Sequence, residues 1–166
     1  MIILFDINKK MCEAWEKEFY GCYDIKIMNI EVSELDSIDY LVSAGNSYGI
    51  MNGGIDLAIR NLIGMELQDR IQWTIISKYR KLFLPVGDNI VVYGNEKYKN
   101  IIYAPTMEFP SLITKDNISN IFFNCLVSSV HGDMACCGLG ALSGGLPVDI
   151  VAKEMKFGYN KFKRLK

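Results

Sequence analysis

Asp39-Tyr40-Leu41-Val42-Ser43-Ala44-Gly45-Asn46-Ser47-Tyr48-Gly49, followed by Asn52-Gly53-Gly54-Ile55-Asp56-Leu57-Ala58-Ile59, is the stretch that decides the fold. Tyr40-Leu41-Val42 is a compact apolar run of the kind found in strands buried on both faces. Ser43 to Gly49 reads as a loop of small residues. Gly53-Gly54 then opens a helix whose inner side carries Ile55, Ile59, Leu62 and Ile63. A glycine-rich passage from strand to helix has a physical use. Without a Cβ the backbone approaches a ligand closely, and the amides of the helix start present partial positive charge to it.

The same alternation extends in both directions. Upstream, Ile2 to Phe5 predicts a strand ended by Asp6. Asn8 caps a helix with Met11, Cys12, Trp15 and Phe19 inward, and Gly21 stops it. Residues 24–29 alternate as a second strand. Downstream, Gly64 breaks the helix, and Leu67, Ile71, Ile75 and Tyr79 mark another at four-residue steps. Strands are predicted at Ile90 to Tyr93 and Ile101 to Ala104, with Pro105 and Pro110 bracketing an irregular segment. A helix carries Ile118, Ile121, Phe122, Cys125 and Leu126 inward. Met134 to Cys137 reads as a last central strand running into Gly138-Leu139-Gly140-Ala141-Leu142-Ser143-Gly144-Gly145. Pro147 suits the first turn of a final helix.

Strand and helix alternate from end to end, which predicts a sheet covered by helices on both faces. Ligands of such folds sit outside the carboxyl ends of the strands. Two strand-to-helix loops are rich in glycine, residues 43–54 and 138–145, and both lack Lys and Arg. An anion there would be held by main-chain amides; the plainer reading is a pair of tight turns. Gly138 and Gly140 begin a G-x-G, but Gly144 is at the wrong spacing for a dinucleotide fingerprint and no acidic strand follows. No Gly-Lys-Ser/Thr is present.

Composition narrows the function classes. The 166 residues predict one domain, with 50% hydrophobic and 22% charged residues excluding a disordered chain. Lys and Arg (18) balance Asp and Glu (19) to a formal charge of -1, so no global field draws in nucleic acid or an anionic membrane. No apolar stretch approaches the ~20 residues that cross a bilayer. One histidine, His131, excludes a histidine-rich metal site and reads as a surface turn residue. Five cysteines without a CxxC, and an N-terminus without a secretory pattern, predict a reducing, cytoplasmic setting.

The quoted motifs resemble the signature of macro domains, where a strand reading D-A-I-V-N-A-A-N-S leads to G-G-G-V-D-x-A-I. The ten-residue step from Asn46 to Asp56 matches. Pro85-Val86-Gly87-Asp88, Ile101 to Thr106 and residues 134–147 fit later family motifs. Tyr48-Gly49, Ala104-Pro105-Thr106-Met107 and Gly138-Leu139-Gly140 are similar to a short branch found in phage and bacterial genomes.

The resemblance implies one domain over residues 1–166 and a three-layer α/β/α sandwich with a mixed, largely parallel central sheet. It implies ADP-ribose or a related nucleotide as ligand, with no metal and no cofactor. Asn46 would hydrogen-bond the distal ribose, and Asp56 would orient or activate a water. Ser43, Ala44, Gly45, Tyr48, Gly53, Gly54 and Ile55 would form one side of the ligand site. Gly138, Gly140, Ala141 and Gly144 would wrap the diphosphate, with Leu139 and Leu142 also at the ligand site. Ser43 departs from the family's asparagine, and Leu142 from a frequent aromatic. The family's adenine-reading Asp falls on Asn29, leaving Asn29, Glu31 or Asp6 for that task. From the residues alone, Asp56 also serves as a helix-start acid and Asn46 as a turn residue. Tyr48, Met107 and Phe109 line the cleft or simply pack. Three functions follow: hydrolysis of ADP-ribose-1″-phosphate or an acyl-ADP-ribose, binding without turnover, or a phage structural or assembly role.

Overall fold

Among the described residues of the computed structural model (1–80, 82–109, 117–141 and 144–165), six strands form one sheet. In chain order the elements are β1 (Ile2–Phe5), α1 (Lys9–Glu18), β2 (Ile25–Met28), a 3-10 turn (Val32–Glu34) and β3 (Ile38–Asn46). Then come α2 (Gly54–Ile63), α3 (Glu66–Tyr79), β4 (Ile90–Tyr93), β5 (Tyr98–Met107), α4 (Ile118–Ser128), β6 (Met134–Cys136) and α5 (Val148–Lys163). The sheet order is β2-β1-β6-β3-β5-β4. β4 runs antiparallel to β5, and every other pairing is parallel. The last strand, β6, therefore enters the middle of the sheet, with Met134 opposite Ile2 on one flank and Tyr40 on the other.

Each face has its own apolar layer. Trp15 of α1, Phe122 of α4 and Met155 of α5 are fully buried against one face. Ile59 of α2 and Leu67, Ile71 and Ile75 of α3 are buried against the other. Burial of one such side chain contributes roughly 1.5–3 kcal/mol. The result is the expected α/β/α sandwich with a mixed, largely parallel sheet.

Local signals act where the sequence puts them. Asn8 caps α1, its side chain accepting from the Lys10 N–H at 3.1 Å. Gly64 follows α2 with φ 131°. Pro147 is the N-cap of α5 rather than a residue of its first turn. On α2 the buried residues are Asp56 and Ile59, while Leu62, expected inside, is exposed.

Two expected boundaries move. Ser43 to Asn46, read as loop, are the end of β3, still paired with β5. Pro105, read as the edge of an irregular segment, lies inside β5 opposite Gly45. Its missing N–H costs nothing on the outer flank, because β4 pairs only with Asn100 to Tyr103. The register shifts between Gly45 and Asn46. There the Tyr103 hydroxyl donates to the Asn46 carbonyl (2.8 Å) and accepts from the Asn46 N–H (3.1 Å). A side chain thus replaces ladder bonds that the shift removes.

Candidate functional site

A cleft of about 530 Å³ opens beyond the carboxyl ends of β1, β3, β5 and β6. One end is lined by Phe5, Asp6, Ile7, Ile30, Glu31 and Val32. The middle lies between the start of α2 (Gly53 to Asp56) and Cys137, Gly138, Gly140 and Gly144. The other end carries Asn46, Ile50, Asn52, Thr106 and Met107. Among the described residues no Lys or Arg lines the cleft, and its charged groups are three acids: Asp6, Glu31 and Asp56.

Asp56 sits in the first turn of α2 and is 4% exposed. Ser43, fully buried on β3, donates its hydroxyl to Asp56 Oδ1 at 2.5 Å. Burial pushes the Asp56 carboxyl up to about 7, with the Ser43 bond opposing that rise. Asp56 Oδ2 lies against Gly45, where a Cβ would collide with it and with the Tyr103 hydroxyl. Only glycine lets β3 pass so close to the carboxyl. At the start of α2, Gly54 takes φ 55°, turning the chain so that the helix begins at the cleft. The first amides of a helix lack intrahelical partners, so this end offers donors.

Asn46 lines the cleft, but its amide already organises the turn behind it. Its Oδ1 accepts from the N–H groups of Tyr48 (3.0 Å) and Ile50 (3.3 Å), and its Nδ2 donates to the Ile50 carbonyl (2.8 Å). The turn reading of Asn46 holds, and the residue also stands on the cleft wall. The Asn46 NH2 group carries a second N–H besides the one given to Ile50.

Asp6 connects the two halves of the cleft. Its Oδ1 accepts from the Asn8 N–H (2.8 Å) and its Oδ2 from the Gly138 N–H (3.1 Å). Burial raises its carboxyl above the ordinary range against these bonds. The Gly138 amide, expected to face a diphosphate, is thus held by Asp6. Beyond it the loop closes through Ala141 N–H to the Gly138 carbonyl and Leu146 N–H to the Gly140 carbonyl.

Of the other expected residues, Ala44, Gly45, Gly53, Gly54, Ile55, Gly140 and Gly144 line the cleft. Ser43 stands behind it, acting on Asp56. Leu139 is fully buried in the core, and Ala141 packs against that core, so neither lines the cleft. Leu142 lies outside the described residues. Asn29 is exposed and off the cleft; its Nδ2 donates to the Asp6 carbonyl at 2.7 Å. That leaves Asp6 and Glu31 as the acids of the first end. Tyr48 lines an adjoining pocket of about 280 Å³ with Asn46, Ile50, Asn52 and Phe109.

Phe5, Ile7, Ile30, Val32 and Ile50, and Asn52 and Thr106 within the quoted motifs, line the cleft without a site role expected from the sequence. Phe5 and Thr106 could have been found by their place at strand ends; the others depend on how the chain folds back. His131 is exposed. Burial pushes the Cys137 thiol far above its ordinary range, which argues against a nucleophile there. Among the described residues no group of three His, Cys, Asp or Glu side chains could hold a metal ion. Nor is any helix among them long and apolar enough to cross a membrane.

The architecture has known counterparts. The macrodomain of Mycobacterium tuberculosis DarG matches with TM-score 0.66 and 18% identity, covering 80% of this chain and 87% of that one. The Oceanobacillus iheyensis macrodomain with ADP matches at 0.65 and 20%, covering 77% and 70%. A glycine-to-valine variant of that macrodomain with ADPR matches at 0.62 and 16%, covering 82% and 90%. In sequence, an uncharacterized protein of Aquifex aeolicus is 28% identical over 144 residues, 84% of this chain and 82% of that protein. The family model of the macro domain matches residues 42–155, from the middle of β3 into α5. With more than half of its length inside that match, the chain belongs to the macro domain family.

Proposed function

We propose that the cleft binds ADP-ribose or a close relative, and that the protein hydrolyses an ester on the distal ribose. The middle of the cleft suits a diphosphate, since the α2 start supplies main-chain donors and Gly140 and Gly144 let their backbone come close. Phe5, Ile30 and Val32 give the first end an apolar bed for a planar base, with Asp6 and Glu31 as acceptors for an exocyclic amine. Asn46, Asn52 and Thr106 at the second end, with Asp56 at the adjoining α2 start, give the polar groups a ribose needs. Solved structures with ADP and with ADPR share this fold. The five free cysteines, four of them buried, support a reducing, cytoplasmic setting.

Asp56 carries the catalytic part of the reading. A carboxyl poised at about 7 takes and returns protons at neutral pH. In ester hydrolysis it would accept a proton from a water whose oxygen bonds to the acyl carbon or phosphorus. The bond to the ribose oxygen then breaks, and that oxygen leaves as a hydroxyl carrying the proton. A second reading, capture without turnover, is favoured by the 4% exposure of Asp56 and the prior engagement of the Asn46 amide.

The test is calorimetry with ADP-ribose followed by product assays on ADP-ribose-1″-phosphate and an acetyl ester. Binding with turnover supports hydrolysis, and binding alone supports the second reading. Absence of any binding heat rejects both.

A further inference from the structure

The pocket beside Tyr48 is a separate space that shares Asn46, Ile50 and Asn52 with the cleft. It therefore joins the cleft only at the end assigned to the distal ribose. Its remaining walls are aromatic. The rings of Tyr48 and Phe109 lie 5.3 Å apart at 35°, and Phe109 is 56% exposed. Among the described residues no charged side chain lines it.

We propose that this pocket receives the substituent carried by the distal ribose, and that the substituent is an uncharged, planar apolar group such as an aromatic acyl or aryl moiety. This rests on the placement of ADP-ribose given above. A substituent on the distal ribose would point away from the diphosphate, and the space it meets is this one. The wall chemistry then selects among substituents. Among the described residues a phosphate would meet no cation, only two asparagine amides and the Tyr48 hydroxyl, so its charge would go uncompensated. A planar ring would stack on Tyr48 or Phe109 and cover apolar surface that is otherwise wet.

The test compares three ligands by calorimetry on the full chain: ADP-ribose, ADP-ribose-1″-phosphate, and an ADP-ribose bearing a phenoxy group at C1″. The phenoxy ligand is expected to bind about tenfold more tightly than ADP-ribose, and the phosphate no more tightly. Phe109→Ala, at an exposed position, should remove most of that gain and leave ADP-ribose affinity unchanged. Tyr48→Ala is the second variant should the first be rescued by the remaining ring. If ADP-ribose binds but the phenoxy group adds nothing, or the gain survives both variants, the pocket does not take the substituent. If ADP-ribose itself does not bind, the placement fails first and this inference falls with it.

Discussion

Ser43 Oγ lies 2.5 Å from Asp56 Oδ1, so a residue of the central strand fixes the one carboxyl buried at the polar end of the cleft. Serine at this position supplies that carboxyl with a buried donor. The pair gives the first prediction. In the unfolded chain Asp56 ionises near 3.8, and in the folded protein near about 7. Between those values the folded state holds a proton that the unfolded state lacks, so stability falls as pH rises from about 4 to about 7 and then levels off. Asp56→Asn keeps an acceptor for Ser43 and removes the fall. It should be more stable than the parent at pH 8 by on the order of a few kcal/mol, and no more stable at pH 4. Urea denaturation at both pH values reads this. In the hydrolase reading the same variant loses turnover about a hundredfold or more while retaining ligand binding.

The Tyr103 hydroxyl bridges the shifted register at Asn46. Tyr103→Phe keeps the ring and strands both main-chain groups, a loss of about 1–3 kcal/mol. Gly45→Ala should cost more, about 3 kcal/mol or beyond, because its Cβ meets both the Asp56 carboxyl and the Tyr103 hydroxyl. Equal denaturation midpoints for the two variants and the parent would contradict the packing described.

Asp6 holds the first amide of the 138–145 loop. Asp6→Ala leaves the N–H groups of Asn8 and Gly138 without their acceptor. Hydrogen exchange at Gly138 should accelerate by at least about tenfold while the core amides of α3 stay protected. Affinity for ADP-ribose should fall with it, since a loosened loop must be ordered on binding. Unchanged exchange at Gly138 would remove Asp6 from this role.

A cleft with no Lys or Arg among its described residues makes a salt prediction. If main-chain donors grip the diphosphate, raising salt from about 50 to 500 mM should change the Kd by less than about threefold. A steep loss of affinity would reveal a cationic clamp, and calorimetry across the series distinguishes the two.

The alternation of strand and helix, the cap at Asn8 and the break at Gly64 could be read directly, because each is set by neighbours in the chain. The same holds for Gly53, Gly54 and Asp56 at the α2 start. Ser43 to Asn46 read as loop because they are small, although a strand pairs through its backbone and needs no large side chains. Pro105 reads as a strand breaker for a different reason: its tolerance depends on where β4 ends, not on its neighbours. The clasp of Asp6 on Gly138 joins residues 132 positions apart and leaves no local trace. Asn29 shows the limit of motif transfer. The residue at the matching position props the carbonyl of Asp6, while Asp6 and Glu31 line the cleft.

The entry of β6 between β1 and β3 makes the first forty residues a keystone. A fragment trimmed to residues 42–155 would strip β6 of its neighbour Ile2 to Leu4 and the loop of its Asp6 anchor. It would bare an apolar strand edge to other molecules, an invitation to aggregate. Assembly must also wait until the two distant ends of the polypeptide meet, which favours slow maturation over rapid collapse into the finished receptor.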